Sequence, residues 1–330
     1  MKVAQFAEVG VPHEVIECVE VDDPGPPAAD EVVVEVIACP INPADLLIME
    51  GRYAAIPPLP AVPGAEFVGQ VLEIGAEVDG LAPGQRVITV VRENWVQKRK
   101  VKAAELIPVP QGVDTLQLAM LKANPATAYL MMKKYVDLAP GDWLIQDAAN
   151  SGVGHCLIAL AQAEGIRTVN VVRREGLEEQ LLAAGGDVVV VDGPDLSERV
   201  AEATGGAAIR LAIDAVGGEA VVRLGDCLAE QAIILNYGLL SGEDPRLSAH
   251  QAVFKRLWLT GFWLAPWLTD LGRDELVAMY QMLAGHIADG SLAVPIEATY
   301  PIEEIKAAVE HAGRGHRDGK ILLTPNGPVD

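Results

Sequence analysis

WLIQDAANSGVGHCLIALAQAEGIRTVNVVRRE, residues 143–175, decides the fold. An apolar run, WLIQDAA, gives way to a turn of small residues, then to a helical stretch GVGHCLIALAQAEG, then to a second apolar run, TVNVV. Parallel strands need a long crossover, usually a helix, so this order predicts a strand–helix–strand unit. The alternation continues with helical LEEQLLAAGG, strand DVVVVD, helical SERVAEATGG, strand IRLAIDAV, helical GEAVVRLGDCLAE, and strands QAIILNYG and LWLTGFWL. Six buried strands joined by helix-length connections predict a doubly wound parallel sheet between about Asp142 and Leu264.

On the N-terminal side the texture is different. Short strands punctuated by proline and glycine, EVVVEVIA (31–38), FVGQVLEIG (67–75) and GQRVITVV (84–91), mark a β-rich region over the first 115 residues. Beyond the sheet, the last 65 residues hold a helix (DELVAMYQMLAGHIADG), a strand (IEATY), a second helix (IEEIKAAVEHAG) and a strand (KILLTP). Too short to form a domain, they are expected to return and complete the first one. The expected organisation is a discontinuous domain, 1–120 with 268–330, into which a sheet domain, 121–267, is inserted. A chain of 330 residues suits two cores better than one.

Half the residues are hydrophobic and 22% are charged, which excludes a disordered or collagenous chain. With 25 basic and 46 acidic residues the net charge is −21, so phosphate backbones and anionic lipid surfaces are repelled; neither nucleic acid nor membrane is an expected partner. The longest apolar runs, such as VVVV at 188–191, fall far below the ~20 residues of a spanning helix. Met1-Lys2-Val3 runs straight into the first strand, and a cytoplasmic protein is expected. Cys18, Cys39, Cys156 and Cys227 lie far apart in apolar contexts and read as reduced core residues. Among the histidines, His155 reads as packing in the first sheet helix, and His311 and His316 flank a Gly-Arg-Gly turn expected to face solvent.

The turn after WLIQDAA carries the first chemistry. Its backbone N–H groups and the helix N-terminus can hold a pyrophosphate. Laid on G-x-G-x-x-G, the residues Ala149-Asn150-Ser151-Gly152-Val153-Gly154 keep only the third glycine, with small residues at the other two positions. Helix packing alone would also call for small residues here. The next strand ends in Arg173-Arg174 where NAD-binding chains place a carboxylate, and two guanidiniums suit a 2′-phosphate, which points to NADPH. A solvated basic turn beside Glu175 is the alternative reading.

VPGAEFVGQVLEIGAEVDGLAPGQRV resembles the signature of the medium-chain dehydrogenase/reductases, and the strand–helix alternation follows at the expected distance. That resemblance implies a Rossmann sheet inserted into a GroES-like catalytic domain. Zinc-dependent members carry a histidine after the first glycine of the signature, where this chain reads Gly64-Ala65-Glu66; their other two ligands would fall at Asn42 and Ala123. No metal is therefore expected, since a catalytic zinc needs three ligands that are mostly thiolate or imidazole. INPADLLIMEGRY (41–53), KANPATAYLMM (122–132), the 145–175 segment and LTGFWLAPWL (259–268) resemble the mitochondrial-type trans-2-enoyl thioester reductases, with the quinone oxidoreductase group next. The resemblance implies Tyr53 as proton donor. As cofactor contacts it implies Asn124, Asn150, Ser151, Gly152, Val153, Arg173, Arg174, Glu175, Tyr237, Gly238, Phe262, Trp263, Leu264 and Lys320. Asn42 and Trp267 are assigned to the substrate pocket. Leu239-Leu240-Ser241 replace the family's glycine-rich stretch after NYG.

The chemistry of such a reduction demands hydride at Cβ, support for the developing enolate oxygen and a proton at Cα. A phenol, ordinarily of pKa ~10, stays protonated at neutral pH and suits the third task. Asn42-Pro43-Ala44-Asp45 reads as an N-cap, a proline at N1 and an acid at N3, which predicts a short helix delivering the chain to Tyr53. Tyr53 also reads as a loop aromatic over Ile56 and Leu59, Asn124 as an Asn-Pro helix start, Trp263 and Trp267 as packed indoles, and Lys320 as an exposed lysine on the last strand. The basic run Arg92, Lys98, Arg99, Lys100 and Lys102 offers a site for coenzyme A phosphates or a solvated hairpin. The expected activity is NADPH-dependent reduction of a 2-enoyl thioester. A quinone, enone or substituted-acrylate reductase and a non-catalytic nucleotide-binding protein are the alternatives. The resemblance implies a homodimer through an edge strand of the cofactor sheet, and the strongly apolar LWLTGFWL suits that strand.

Overall fold

β-Branched side chains pack well on a pleated surface, and Val32-Val33-Val34-Glu35-Val36 is crowded with them. In the computed structural model, which describes residues 1–315 and 317–329, this segment lies in a ten-residue strand that pairs with three others. The first part of the chain holds β1 (Lys2–Phe6), β2 (Ile16–Glu20), β3 (Glu31–Pro40), β4 (Val68–Ile74), β5 (Arg86–Thr89), β6 (Lys98–Lys102) and β7 (Leu106–Pro108). β1 and β2 form an antiparallel pair, and β3 pairs antiparallel with both β4 and β6.

The alternating region follows with β8 (Trp143–Gln146), β9 (Arg167–Val172), β10 (Val188–Val191), β11 (Leu211–Asp214), β12 (Ile233–Asn236) and β13 (Trp258–Gly261). Their order in the sheet is β10-β9-β8-β11-β12-β13, with every neighbouring pair parallel. The chain runs outward from β8 through β9 to β10 and returns to β11 on the other side of β8. That reversal opens a crevice at the carboxyl ends of the central strands, where α/β sheets bind ligands. Helices Gly152–Ala163, Glu178–Ala183, Leu196–Thr204 and Gly218–Cys227 supply crossovers. Two separate apolar clusters, one around Ile145, Val169, Val221 and Ile234 and one around Ile158, Val172 and Leu181, bury the sheet's side chains. The last strand is shorter than the apolar run LWLTGFWL suggests: β13 ends at Gly261, and a new helix, Leu264–Asp270, carries Pro266 in its first turn, where a missing N–H costs nothing.

After the helix Arg273–Ala288 come β14 (Ile296–Tyr300), the helix Ile305–Gly313 and β15 (Lys320–Leu323). β15 joins β3 antiparallel and β14 lies parallel to β15, so the C-terminal residues complete the sheet that the N-terminal residues began. The chain divides into two compact units. One comprises Met1–Ala123, Leu271–Gly290 and the residues from Val294 on; the other comprises Asn124–Asp270 with Ser291–Ala293. The first is organised on a core that includes Phe6, Val34, Met49, Phe67 and Trp95.

The Gly313-Arg314-Gly315 turn is exposed, as expected, while His311 beside it is partly buried, its Nδ1 2.9 Å from the Tyr300 hydroxyl and its Nε2 2.8 Å from Glu297 Oε1. His316 lies outside the described residues. The four cysteines are free thiols; Cys39 and Cys156 are buried, and Cys18 and Cys227 partly so.

Candidate active site

In the sheet unit, β8 ends at Gln146 and the chain turns through Ala148, whose φ of 44° is left-handed. Ser151 caps the next helix, its hydroxyl accepting the Gly154 N–H at 3.1 Å. Gly154 is required by space: a Cβ there would stand 2.2 Å from the Ala149 carbonyl oxygen, a backbone atom that only a shift of the chain could move aside. The retained third glycine therefore lets the helix start against the strand end. Asn150, Ser151, Gly152 and Val153 are half-exposed at this N-terminus, a setting that favours an anion.

Arg173 and Arg174 follow β9, the strand next to β8, with Arg173 and Glu175 exposed and Arg174 half-buried. Tyr237 and Gly238 follow β12. The Tyr237 N–H donates to the Asp214 carbonyl at 2.9 Å; burial pushes its phenol well up, opposed by a hydrogen bond with Ser151. Gly238 passes so close to Ala215 that a Cβ would lie 2.8 Å from its carbonyl oxygen. The sheet thus brings the helix N-terminus, the two arginines and Tyr237 to one end of adjacent or near-adjacent strands.

Asn124 opens the helix Asn124–Lys134 and is 7% exposed, and its Nδ2 has no hydrogen-bond partner among the described residues. A buried amide left unsatisfied is uncommon and points to a partner outside the chain. Together with the capped helix N-terminus, this donor fits a dinucleotide. Phe262 is buried and stacks on Trp267 at 6.4 Å between centroids; Tyr135, which sequence reasoning missed, closes a cluster with both. Trp263 is 48% exposed, and Leu264 begins the following helix.

A pair of acids beneath this crevice was also not legible in the sequence. Asp147 follows β8 and Asp214 ends β11, and both are buried. Asp147 Oδ1 accepts the Ala215 N–H at 2.7 Å, while Asp214 accepts the Val216 and Gly217 N–H groups and the Asn236 amide. Asp147 Oδ2 finds no donor among the described residues. Burial, and then the neighbouring Asp214 carboxyl, hold Asp147 well above the ordinary carboxylate range.

In the other unit, the helix Pro43–Met49 forms as its sequence predicts, with the Asp45 carboxylate accepting the Asn42 N–H at 3.0 Å. The Asn42 side chain does not cap it. It donates instead to Glu66 Oε1 at 2.8 Å and accepts from Lys320 Nζ at 2.6 Å, because two buried groups there need its amide. Glu66 Oε2 takes the Ala123 N–H at 2.8 Å. The positions where zinc-dependent relatives would hold their metal, Asn42 and Ala123, are therefore tied together through Glu66, and among the described residues no group of three or more histidine, cysteine or acidic side chains could hold a metal ion.

Lys122 adds a second buried ammonium, donating to the Ala65 carbonyl at 2.6 Å; burial lowers its pKa to about 8, with Glu66 opposing. Burial raises Glu66 and Asp45, opposed most strongly by the Asn42 amide in one case and by Arg92 in the other. Lys320 is 8% exposed and donates to Ile41 O and Asn42 Oδ1, so it is not an exposed lysine on a surface strand.

Tyr53 follows the helix Pro43–Met49 and is half-buried, with the Arg92 guanidinium carbon 5.6 Å from its ring centroid. Arg92 Nη2 donates to Asp45 Oδ1 at 2.9 Å. The rest of the basic run is neutralised pairwise: Lys98 with Asp23, Arg99 with Glu93, and, at 4.0 Å each, Lys100 with Glu31 and Lys102 with Asp30. It forms no free cationic patch for coenzyme A phosphates.

A GroES-like unit and a parallel nucleotide-binding sheet define a class, and the comparisons agree with it. Residues 28–111 match the alcohol dehydrogenase GroES-like domain, and residues 152–283 match the domain described as zinc-binding dehydrogenase. The mitochondrial enoyl-[acyl-carrier-protein] reductase of Homo sapiens is 33% identical over 329 residues, 97% of this chain and 87% of that one. Among solved structures, the complex of Etr1p, a 2-enoyl thioester reductase from Candida tropicalis, with NADP and crotonyl-CoA matches with a TM-score of 0.87 at 25% identity over 98% of this chain and 99% of that one. Escherichia coli quinone oxidoreductase complexed with NADPH matches with a TM-score of 0.88 at 28% identity over 98% and 100%. The chain belongs to the medium-chain dehydrogenase/reductase family of oxidoreductases.

Proposed function

We propose that the protein reduces the α,β carbon–carbon double bond of 2-enoyl thioesters with NADPH. Tyr53 carries this reading: a half-buried phenol is delivered by a helix whose first turn is closed by Asp45, and a protonated phenol suits the Cα step. Asn124, the helix N-terminus at Asn150–Val153, Arg173 and Arg174 would hold the nucleotide, Asn124 through the amide that the chain leaves unsatisfied. Bound NADPH supplies the hydride. Tyr53 then breaks its O–H bond as the new Cα–H bond forms on the enolate's electron pair, and the phenolate left behind recovers a proton from water. The similarity to enoyl reductases over 97% of the chain supports the substrate class.

One observation favours a quinone or enone as substrate instead. The basic run is neutralised by its own carboxylates, which leaves a coenzyme A phosphate without an evident partner there. The test is NADPH oxidation with crotonyl-CoA or a naphthoquinone, with NADH as control, on the wild type and Tyr53→Phe. Turnover of crotonyl-CoA with NADPH, lowered by about 10² in the variant, is the expected result. Reduction of the quinone alone, equally by both proteins, would overturn the substrate and the proton donor.

Assembly as a homodimer is part of the proposal. β13 is an edge strand whose first residue, Trp258, is 68% exposed, and Val253 and Phe254 in the segment before it are 63% and 70% exposed; exposed large apolar side chains of this kind mark interfaces.

A further inference from the structure

A proton donor that has delivered its proton is an anion, and that charge must be carried in a half-buried place. Tyr53 meets this condition four residues beyond the helix Pro43–Met49, and a cation stands against its ring. The Arg92 guanidinium lies 5.6 Å from the ring centroid. It is held from behind, because Arg92 Nη2 donates at 2.9 Å to Asp45, whose other oxygen accepts the Asn42 N–H. Asp45 belongs to the first turn of the helix that leads to Tyr53. A single helical turn therefore fixes both the guanidinium and the start of the segment that presents the phenol.

Arg92 differs from its neighbours in the basic run. Asp23, Glu93, Glu31 and Asp30, the partners of the others, are between 26% and 61% exposed, whereas Asp45 is 0% exposed. Burying a carboxylate to hold a cation is costly and weak evidence of stabilisation by itself. Arg92 remains 38% exposed, so the pair does not serve to hide the guanidinium. A planar guanidinium stacks on an aromatic face and keeps its charge at every accessible pH.

We propose that Arg92 is a positioning residue for the proton donor: it fixes the Tyr53 ring and supports the negative charge that develops on the phenol oxygen as the proton moves to Cα. The proposal rests on the reading of Tyr53 given above. The proton, the bonds and the electrons are those of that step; Arg92 transfers nothing.

The experiment is a double-mutant cycle with crotonyl-CoA and NADPH. Arg92→Met keeps length and packing without charge, and Arg92→Lys keeps charge. Arg92→Met should lower kcat about tenfold with little change in KM, the order expected of a cation–aromatic contact. Arg92→Lys should retain most of kcat. In the Tyr53→Phe background Arg92→Met should cost nothing further in kcat, since no phenolate forms there. Should Arg92→Met not fold, as judged by its melting curve, Arg92→Gln takes its place. The proposal is overturned if the neutral variant keeps full kcat, if the lysine and neutral variants lose equally, or if the loss is the same with and without the phenol. If Tyr53→Phe itself leaves kcat unchanged, or crotonyl-CoA is not turned over, the underlying reading fails, and Arg92 loses its proposed role with it.

Discussion

Asp147 shows what one buried carboxyl does to the energetics of the sheet unit. Its folded-state pKa is raised by burial and by Asp214, so the folded chain holds this proton to higher pH than the unfolded chain does. The group's contribution is whole below the ordinary aspartate value of ~3.9 and is lost as pH rises through the raised folded value. Asp147→Asn retains an acceptor for the Ala215 N–H and cannot ionise. We expect it to raise Tm by a few degrees at about pH 8 and to change it little at about pH 3, below the ordinary aspartate value, measured by thermal melts at the two pH values. An equal effect at both would show that the carboxyl is not the cause. At the same scale, Tyr53→Phe separates proton delivery from binding, with kcat expected to fall about 10²-fold.

At the scale of the element, the strand–turn–helix that opens the sheet unit depends on Gly154. Its pattern departs from G-x-G-x-x-G at two positions, yet the turn keeps its cap and its close approach, because Ser151 supplies the acceptor and Ala149 is small enough to lie under the helix start. Gly154→Ala must push a backbone carbonyl away. The expected result is a destabilisation of about 1–3 kcal/mol by denaturant melts, with NADPH affinity weakened at least tenfold in a fluorescence titration. An unchanged affinity would mean that the helix N-terminus is not a nucleotide contact. β6 gives a different lesson. Its four basic residues read as a phosphate site or a solvated hairpin, and a strand sets its side chains against whichever neighbours the fold supplies, which here are acidic.

For the whole molecule, the net charge of −21 works against self-association through general repulsion, so an apolar edge must be specific to overcome it. Trp258 is 68% exposed on β13. Light scattering at micromolar concentration should give twice 35.0 kDa for the wild type and a single 35.0 kDa species for Trp258→Glu. A monomeric wild type would remove the dimer from the proposal.

The features that depend on neighbours in sequence were determined by the sequence alone. Six apolar runs at helix-length spacing specify a parallel sheet, Ser151 and Gly154 specify the turn, and Pro43 with Asp45 specifies the helix before Tyr53, since period, capping and steric allowance act within a few residues. The buried polar groups followed another rule. Asn42, Glu66, Ala123 and Lys320 meet across separations of up to 278 residues, and Asp45 finds Arg92 47 residues on. No local pattern encodes such a pairing: a carboxylate or amide must satisfy itself with whatever donor the packed strands bring near it. Only the tertiary structure decided that Asn42 turns away from its own helix, that Lys320 is internal, and that a guanidinium rests on Tyr53.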